Sequence, residues 1–312
     1  MTRPHRPGRC LFRILLFTVC CPLSTLSSCS FGITAARYAL VYGAAEYDDL
    51  PPATTNDLTY TALDAQDMRT ALESSGWTVL IREPEVSRQQ ILDDIADLID
   101  VVQGDSSVLV FFSGHGTIYN GIPNILPTDA VTSVGAAVPA NYLSPSELRS
   151  ALDALPCRNR ILILDTCYSG GFVTDTGTLD AAPQNYGVYD EGTDGSAILA
   201  ALGSYSDLLA SAFESYDPAT PMVVTAAGSE ELSYESGTYG NGVFTYFFLE
   251  AASRGDLDGN GFVTLQEAYR YARKRVDSYW NSLYYYYFES DTGTYADFLP
   301  RISGNARDIV IF

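Results

Sequence analysis

The stretch "SSVLVFFSGHG" occupies residues 106–116. Residues 106–114 read as a strand, and the run from Val108 to Phe112 lacks the polar alternation of a half-exposed strand. A strand of this kind is buried on both faces, at the centre of a sheet covered by helices. His115 follows its end directly, between Gly114 and Gly116. The chain has 2 histidines, and the other, His5, sits in an amino-terminal leader. The folded region therefore places its single imidazole at a strand end between glycines.

Outward from this strand, apolar runs alternate with amphipathic helical stretches. Residues 37–44 ("RYALVYGA") and 77–82 ("WTVLIR") read as strands, with a helix predicted over 59–76 between them. Leu63, Met68 and Leu72 predict its buried face, and Gly76 its exit. Residues 87–104 predict a helix capped by Ser87, with Ile91, Ile95, Leu98 and Val102 inward. Another helix is predicted over 144–155, capped by Ser144 with Pro145 in its first turn. Two more continuous apolar strands follow, "RILILD" (160–165) and "PMVVTAA" (221–227). This rhythm predicts an α/β fold, a mostly parallel sheet with helices on both faces, binding ligands at the carboxyl ends of its strands. His115 and Cys167 both follow such ends. "DIVIF" (308–312) is expected to add an edge strand. The segment 172–220 exceeds an ordinary connection and is functional or a surface insertion; residues 196–213 within it are compatible with a helix.

Charge and cysteines narrow the class. The chain has 312 residues and a formal net charge of −20. Without the four arginines before position 29, the balance is 14 basic against 38 acidic residues. Such a surface repels phosphate backbones, which excludes nucleic acid as an expected partner. Those arginines open a leader, residues 1–29, with an apolar stretch around Ile14–Leu23 and small residues before Cys29. It reads as an export signal. Its end, Leu26-Ser27-Ser28-Cys29, resembles the bacterial lipobox, which implies lipidation at Cys29, a tether over 30–36 and a membrane-anchored protein facing the periplasm or cell exterior. An ordinary secretory signal with an incidental cysteine is the alternative. Four of the 6 cysteines belong to this leader. The remaining two, Cys157 and Cys167, flank a strand that sets them ~20 Å or more apart, beyond the ~7 Å reach of a disulfide. A free thiol in an exported protein calls for a chemical reason, and for Cys167 that reason is nucleophilic chemistry.

A cysteine nucleophile needs a base or positive group beside its thiolate. His115 past one strand and Cys167 past another can share a sheet edge. Their small neighbours (Ser113, Gly114, Gly116; Ser169, Gly170, Gly171) admit a substrate backbone and free N–H groups for an oxyanion. "FFSGHG" and "ILDTCYSGG" resemble the two catalytic motifs of the caspase–metacaspase family of cysteine peptidases, related in fold to legumains and gingipains. "RYALVYGAAEYDDLP", "ALDAQDM" with "ALESSGW", and "VVTAAGSEELSYES…GNGVFTYFFLEAA" resemble further segments of that family in order, so the resemblance covers most of residues 37–256. It implies a caspase-like three-layer sandwich over 37–312, His115 as general base or acid, Cys167 as nucleophile, and N–H groups of Gly116 and Cys167 as oxyanion donors. It also implies a peptide or protein substrate and no organic cofactor. The arginines with which caspases hold an aspartate are missing from "AAGSEELSYES". Asp64 and Asp165 match acids with which metacaspases bind arginine or lysine, which implies cleavage after basic residues. A catalytically silent scaffold binding peptides or partners through the same cleft is the alternative.

A second motif lies near the carboxyl end. "DLDGNGFVTLQE" (256–267) fits D-x-[DN]-x-[DN]-G-x5-E, the calcium loop of an EF-hand. Asp256, Asp258 and Asn260 would offer side-chain oxygens, Phe262 its carbonyl, Thr264 the weaker position and Glu267 a bidentate closure. Helices are predicted on both sides, giving a helix–calcium loop–helix over 242–282 with a structural or stabilising Ca2+. The aromatic run "YWNSLYYYYFES" (279–290) is expected to pack against the domain or to contact a partner.

Overall fold

The computed structural model describes residues 35–47, 57–119, 122–131, 140–168, 221–226, 233–282, 298–303 and 309–312. The leader with Cys29, the segment 172–220 with its expected helix, and Tyr284–Tyr287 lie outside the described residues. Strands β1 (Arg37–Gly43), β2 (Thr78–Arg82), β3 (Ser107–Tyr119), β4 (Ile122–Leu126), β5 (Asn159–Tyr168), β6 (Met222–Thr225) and, after the short pair β7 (Glu235–Ser236) and β8 (Asn241–Gly242), β9 (Arg301–Ser303) are present. Helices are α1 (Thr61–Ser74), α2 (Arg88–Asp97), α3 (Pro145–Asp153), α4 (Val243–Arg254) and α5 (Leu265–Arg275), the last continued by a π-helical turn over Val276–Asn281.

The main sheet has the order β2-β1-β3-β5-β6-β9, with β4 paired to β3. β1 is parallel to β2 and β3, β3 to β5, and β5 to β6. β4 and β9 are antiparallel to their neighbours. Alternate residues of the unbroken apolar strands divide between two cores, as a pleat requires. Leu109, Phe111, Ile161 and Ile163 face α1 and α4 through Met68, Leu72, Phe244 and Phe248. Val108, Val110, Leu162 and Leu164 face α2 and α3 through Ile91, Ile95, Leu148 and Leu152. Each such side chain, once fully buried, contributes ~1.5–3 kcal/mol. The expected three-layer, mostly parallel α/β fold is the one observed.

Local chemistry accounts for the helix ends. Ser87 with Gln90, and Ser144 with Glu147, form reciprocal capping boxes at α2 and α3, each cap worth ~1 kcal/mol. α1 has no such side chain of its own. Glu235 from β7 supplies the acceptor instead, taking the N–H groups of Thr59 at 3.2 Å and Tyr60 at 2.9 Å. The buried face of α1 is Thr61, Asp64, Ala65, Met68 and Leu72, while Leu63 is 41% exposed. The expected apolar face is thus rotated, and it turns Asp64 inward. α2 ends at Asp97 rather than continuing to 104. Leu98, Ile99 and Val101 donate three residues back, to Ile95, Ala96 and Leu98, tightening the chain into turns.

Residues 309–312 do not form the expected sheet edge. β9 occupies that edge, and Ile309–Phe312 pair with the segment between loop and helix at 263–265. Val263 N–H donates to the Phe312 carbonyl at 2.8 Å, Ile311 N–H to Val263 at 2.7 Å, and Leu265 N–H to Ile309 at 2.8 Å. The Trp77 indole and the Arg37 guanidinium, stacked together, hold the other side of the segment by its carbonyls at Ile311 and Val310. Among the described residues no helix is long and apolar enough to cross a membrane.

Candidate active site

Both central strands outrun the lengths predicted for them. β3 and β5 stay paired from Ser107↔Asn159 through Ser113↔Asp165 and His115↔Cys167 to Gly116↔Tyr168. His115 and Cys167 therefore lie within strands rather than beyond them, as direct partners on neighbours ~4.8 Å apart. β3 continues because its far end turns into an antiparallel hairpin with β4, in which His115 opposes Leu126 and Gly116 opposes Ile125. Residues 122–126, "IPNIL", carry no strand signal of their own, so the support that carries the histidine onward is not visible in the sequence. The side chain of Cys167 lies outside the described part of the molecule.

His115 is fully buried. Its N–H donates to the hydroxyl of Tyr47 at 2.9 Å, and the Tyr47 ring lies 4.6 Å from the imidazole at 51°. The same hydroxyl donates to the Leu126 carbonyl at 2.9 Å. Sequence reasoning gave Tyr47 no role, since it follows β1 in a segment of no periodicity.

The two acids implied in substrate binding come together two residue pairs earlier. Asp64 from α1 and Asp165 from β5 are 0% and 1% exposed. Asp64 accepts the Ser113 hydroxyl at 2.7 Å and the Gly242 N–H at 2.9 Å. Asp165 accepts the Ser233 hydroxyl at 2.7 Å, the Thr245 hydroxyl at 2.6 Å and the Thr245 N–H at 3.2 Å. Gly242 stands between them: a Cβ there would lie 2.6 Å from Asp165 Oδ2 and 3.0 Å from Asp64 Oδ2. Burial pushes the Asp64 carboxyl well above the usual carboxylate range, and the charges of Asp165 and Glu235 push it further. Burial also raises Asp165, against the lowering effect of its bonds from Thr245 and Ser233. Among the described residues no ion pair involves either acid. Two buried carboxyls of like charge without an ion pair are costly, and each holds its proton more tightly for it. The supporting groups Ser233, Glu235, Gly242 and Thr245 come from the far end of the sequence, and nothing in their spacing ties them to Asp64.

The loop at 256–267 adopts a compact turn. Gly259 and Gly261 take positive φ of 76° and 89°, a conformation that glycine reaches without penalty. Asp256 accepts N–H groups from Gly259, Asn260 and Gly261 at 2.8, 3.1 and 2.9 Å, and these bonds, that of Gly261 first, hold its carboxyl below the usual range. One oxygen each from Asp256, Asp258 and Glu267 fall within 4.8 Å of one another. That spread suits ligands set 2.3–2.6 Å from one calcium ion. Phe262 lies exposed in the loop, and its N–H donates to Asn260 Oδ1. Thr264 is engaged as the N-cap of α5, exchanging hydrogen bonds with Glu267.

The site is thus a histidine and a cysteine in register on adjacent strands of a mostly parallel α/β sheet. Comparison with family models matches residues 36–292 to the caspase domain. A crystal structure of a protein from Geobacter sulfurreducens is similar with a TM-score of 0.51 and 16% identity, covering 88% of this chain and 94% of that one. Caspase-1 from Spodoptera frugiperda gives a TM-score of 0.49 and 13% identity, over 86% and 88% of the two chains. A comparison with curated proteins gave no match. The chain belongs to the caspase-domain family, whose members are cysteine peptidases acting on peptide or protein substrates.

Proposed function

We propose that the protein is a cysteine endopeptidase that cleaves after arginine or lysine through His115 and Cys167. The observation that carries the reading is the register of β3 and β5, which makes these two residues partners across one strand pair. The Cys167 thiolate attacks the peptide carbonyl carbon, and the N–H groups of Gly116 and Cys167 receive the oxyanion. His115 gives its proton to the leaving amine as the C–N bond breaks, leaving a thioester. It then takes a proton from the water that hydrolyses that thioester and restores the thiol. Asp64 and Asp165 supply the negative charge that holds a guanidinium or ammonium before the cut. Loss of one partner from such a buried charge pair costs ~3–5 kcal/mol, so Asp165→Asn should nearly abolish cleavage after arginine.

In this reading Ca2+ binds the 256–267 loop through Asp256, Asp258, Asn260, the Phe262 carbonyl and Glu267, with Thr264 at the weaker position. Its role is to stabilise, because the loop is built into α5 and into the pairing with Ile309–Phe312. The protein is exported and anchored through acyl chains on Cys29. The test is a positional peptide library presented to the purified protein with and without calcium, beside Cys167→Ala. Cleavage after basic residues that disappears in Cys167→Ala is expected. Preference for aspartate or asparagine would refute the specificity, and activity surviving in Cys167→Ala would refute the nucleophile.

A further inference from the structure

Tyr47 is fully buried beside the histidine, and its own backbone N–H is tied to Asp57 Oδ1 at 2.9 Å. Its hydroxyl does two things at one point. It accepts the His115 N–H and donates to the Leu126 carbonyl, each at 2.9 Å. His115 and Leu126 are partners in the β3–β4 hairpin. The hydroxyl thus bridges the N–H and the C=O that face each other across this antiparallel pair. The adjacent residue makes room for it, since a Cβ on Gly114 would lie 2.7 Å from the Tyr47 oxygen. Glycine before the histidine is therefore a requirement of the tyrosine as much as of any substrate. The ring adds a second hold, packing tilted on the imidazole at 4.6 Å.

We propose that Tyr47 is a positioning residue for His115, fixing the backbone at its rung through the hydroxyl and the tilt of the imidazole through the ring. The proposal rests on the peptidase reading of His115. An imidazole that transfers protons loses much of its effect when displaced: a shift of ~1 Å costs on the order of 100-fold in rate. A hairpin end that loses this bridging hydroxyl is open to such displacement.

The experiment compares Tyr47→Phe with Tyr42→Phe in the full chain. Tyr42 is equally buried, and its hydroxyl donates to Asp94 Oδ2 at 3.2 Å. Both variants remove one buried hydroxyl and keep the ring; Tyr47→Phe loses two hydrogen bonds and Tyr42→Phe one, so both should melt lower, Tyr47→Phe by more. Tyr47→Phe should lose about tenfold in kcat with KM within roughly twofold, while Tyr42→Phe keeps the wild-type kcat. An equal loss of kcat in both variants, or none in Tyr47→Phe, would overturn the proposal. Wild-type protein that cleaves no peptide would refute the peptidase reading instead. Tyr47 is then decided by the imidazole nitrogen NMR spectrum, made unique by His5→Gln. Signals of His115 that change in Tyr47→Phe but not in Tyr42→Phe support positioning, and unchanged signals overturn it.

Discussion

Asp64→Asn should make this protein more stable at pH 8 while making it a poorer enzyme. The geometry allows the amide to keep both hydrogen bonds of the acid. Its oxygen takes the Gly242 N–H, and its NH2 group faces the Ser113 hydroxyl, which turns from donor to acceptor. What the substitution removes is charge. Asp64 Oδ2 and Asp165 Oδ2 both lie within 3.0 Å of the position of a Gly242 Cβ, so they are at most about 6 Å apart. At ~6 Å and an effective dielectric of ~20, two unit charges repel by ~3 kcal/mol. The gain is smaller than the full repulsion, because the folded protein can also escape it by keeping Asp64 protonated.

The pH dependence separates this cause from any other. Burial and the neighbouring acids raise the proton affinity of Asp64 in the folded state, so the folded protein binds more protons than the unfolded chain. Stability must then fall as pH rises from the unfolded value, ~3.9, to the raised folded one. Asparagine takes up no proton and escapes that fall. The stabilities of wild type and variant should draw together toward pH 4 and separate toward pH 8, where a gain of ~2 kcal/mol corresponds to roughly 4–8 °C in Tm for a domain of this size. Thermal melts at pH 4, 6 and 8 read this directly, alongside kcat/KM on an arginine substrate, which should drop. A variant that melts lower than wild type at pH 8, or one whose advantage is the same at pH 4, would refute the repulsion and with it the physical case for a cation pocket.

Gly242→Ala probes the same pair from the other side. Gly242 has φ −55°, which alanine accepts, so the cost is the overpacking against two tethered carboxylates, ~1–3 kcal/mol. KM for basic substrates should rise, whereas Gly240→Ala, at φ 71° with nothing within 4 Å, should lose stability through strain and leave KM alone. Calcium at ~100-fold above its dissociation constant should stabilise the chelated protein by ~2.7 kcal/mol, and the increment should vanish in Asp258→Ala; an unchanged Tm on adding calcium would refute the site. No lysine or arginine occurs between Arg160 and Arg254, so an enzyme selective for basic residues has no site in 172–220 and should be active as one uncut chain. Mass spectrometry showing cuts in that segment that vanish in Cys167→Ala would overturn the specificity.

The layers were legible because the signals that build them are local. Unbroken apolar runs marked β1, β3, β5 and β6, and Ser87 and Ser144 marked the starts of α2 and α3. Elements whose stability comes from partners were not. β4 is a strand because β3 runs on to meet it, and β9 because the edge of β6 is open to it. Nothing in "IPNIL" or "RIS" fixes a strand without those neighbours. α1 failed in a more instructive way. A helix scanned for apolar spacing put Leu63 inside, yet the structure buries Asp64 and leaves Leu63 at the surface. The rule is broken at a residue of the proposed substrate site, which is where departures from local consistency are expected.

The same reasoning locates the site once the register is known. Along the middle of the sheet, apolar chemistry stops at one level. Tyr42 gives way to Gly43 in β1, Phe112 to Ser113 in β3 and Leu164 to Asp165 in β5, and Gly43, Ser113 and Asp165 are partners across the three strands. In β6 the change comes at Thr225, which pairs with Leu164 just before that level. Read singly, each is an ordinary end of a strand. Ser113, Asp165 and Thr225 are nonetheless buried, and burying polar groups costs several kcal/mol unless each is hydrogen-bonded. The protein meets that cost with Ser233, Thr245 and the Gly242 N–H, brought from α4 and the turn before it. A fold stabilised for its own sake would have continued the apolar pattern to the end of the strands. A polar belt held by donors from one distant segment, 233–245, two residue pairs before His115 and Cys167, is what the proposed binding site calls for.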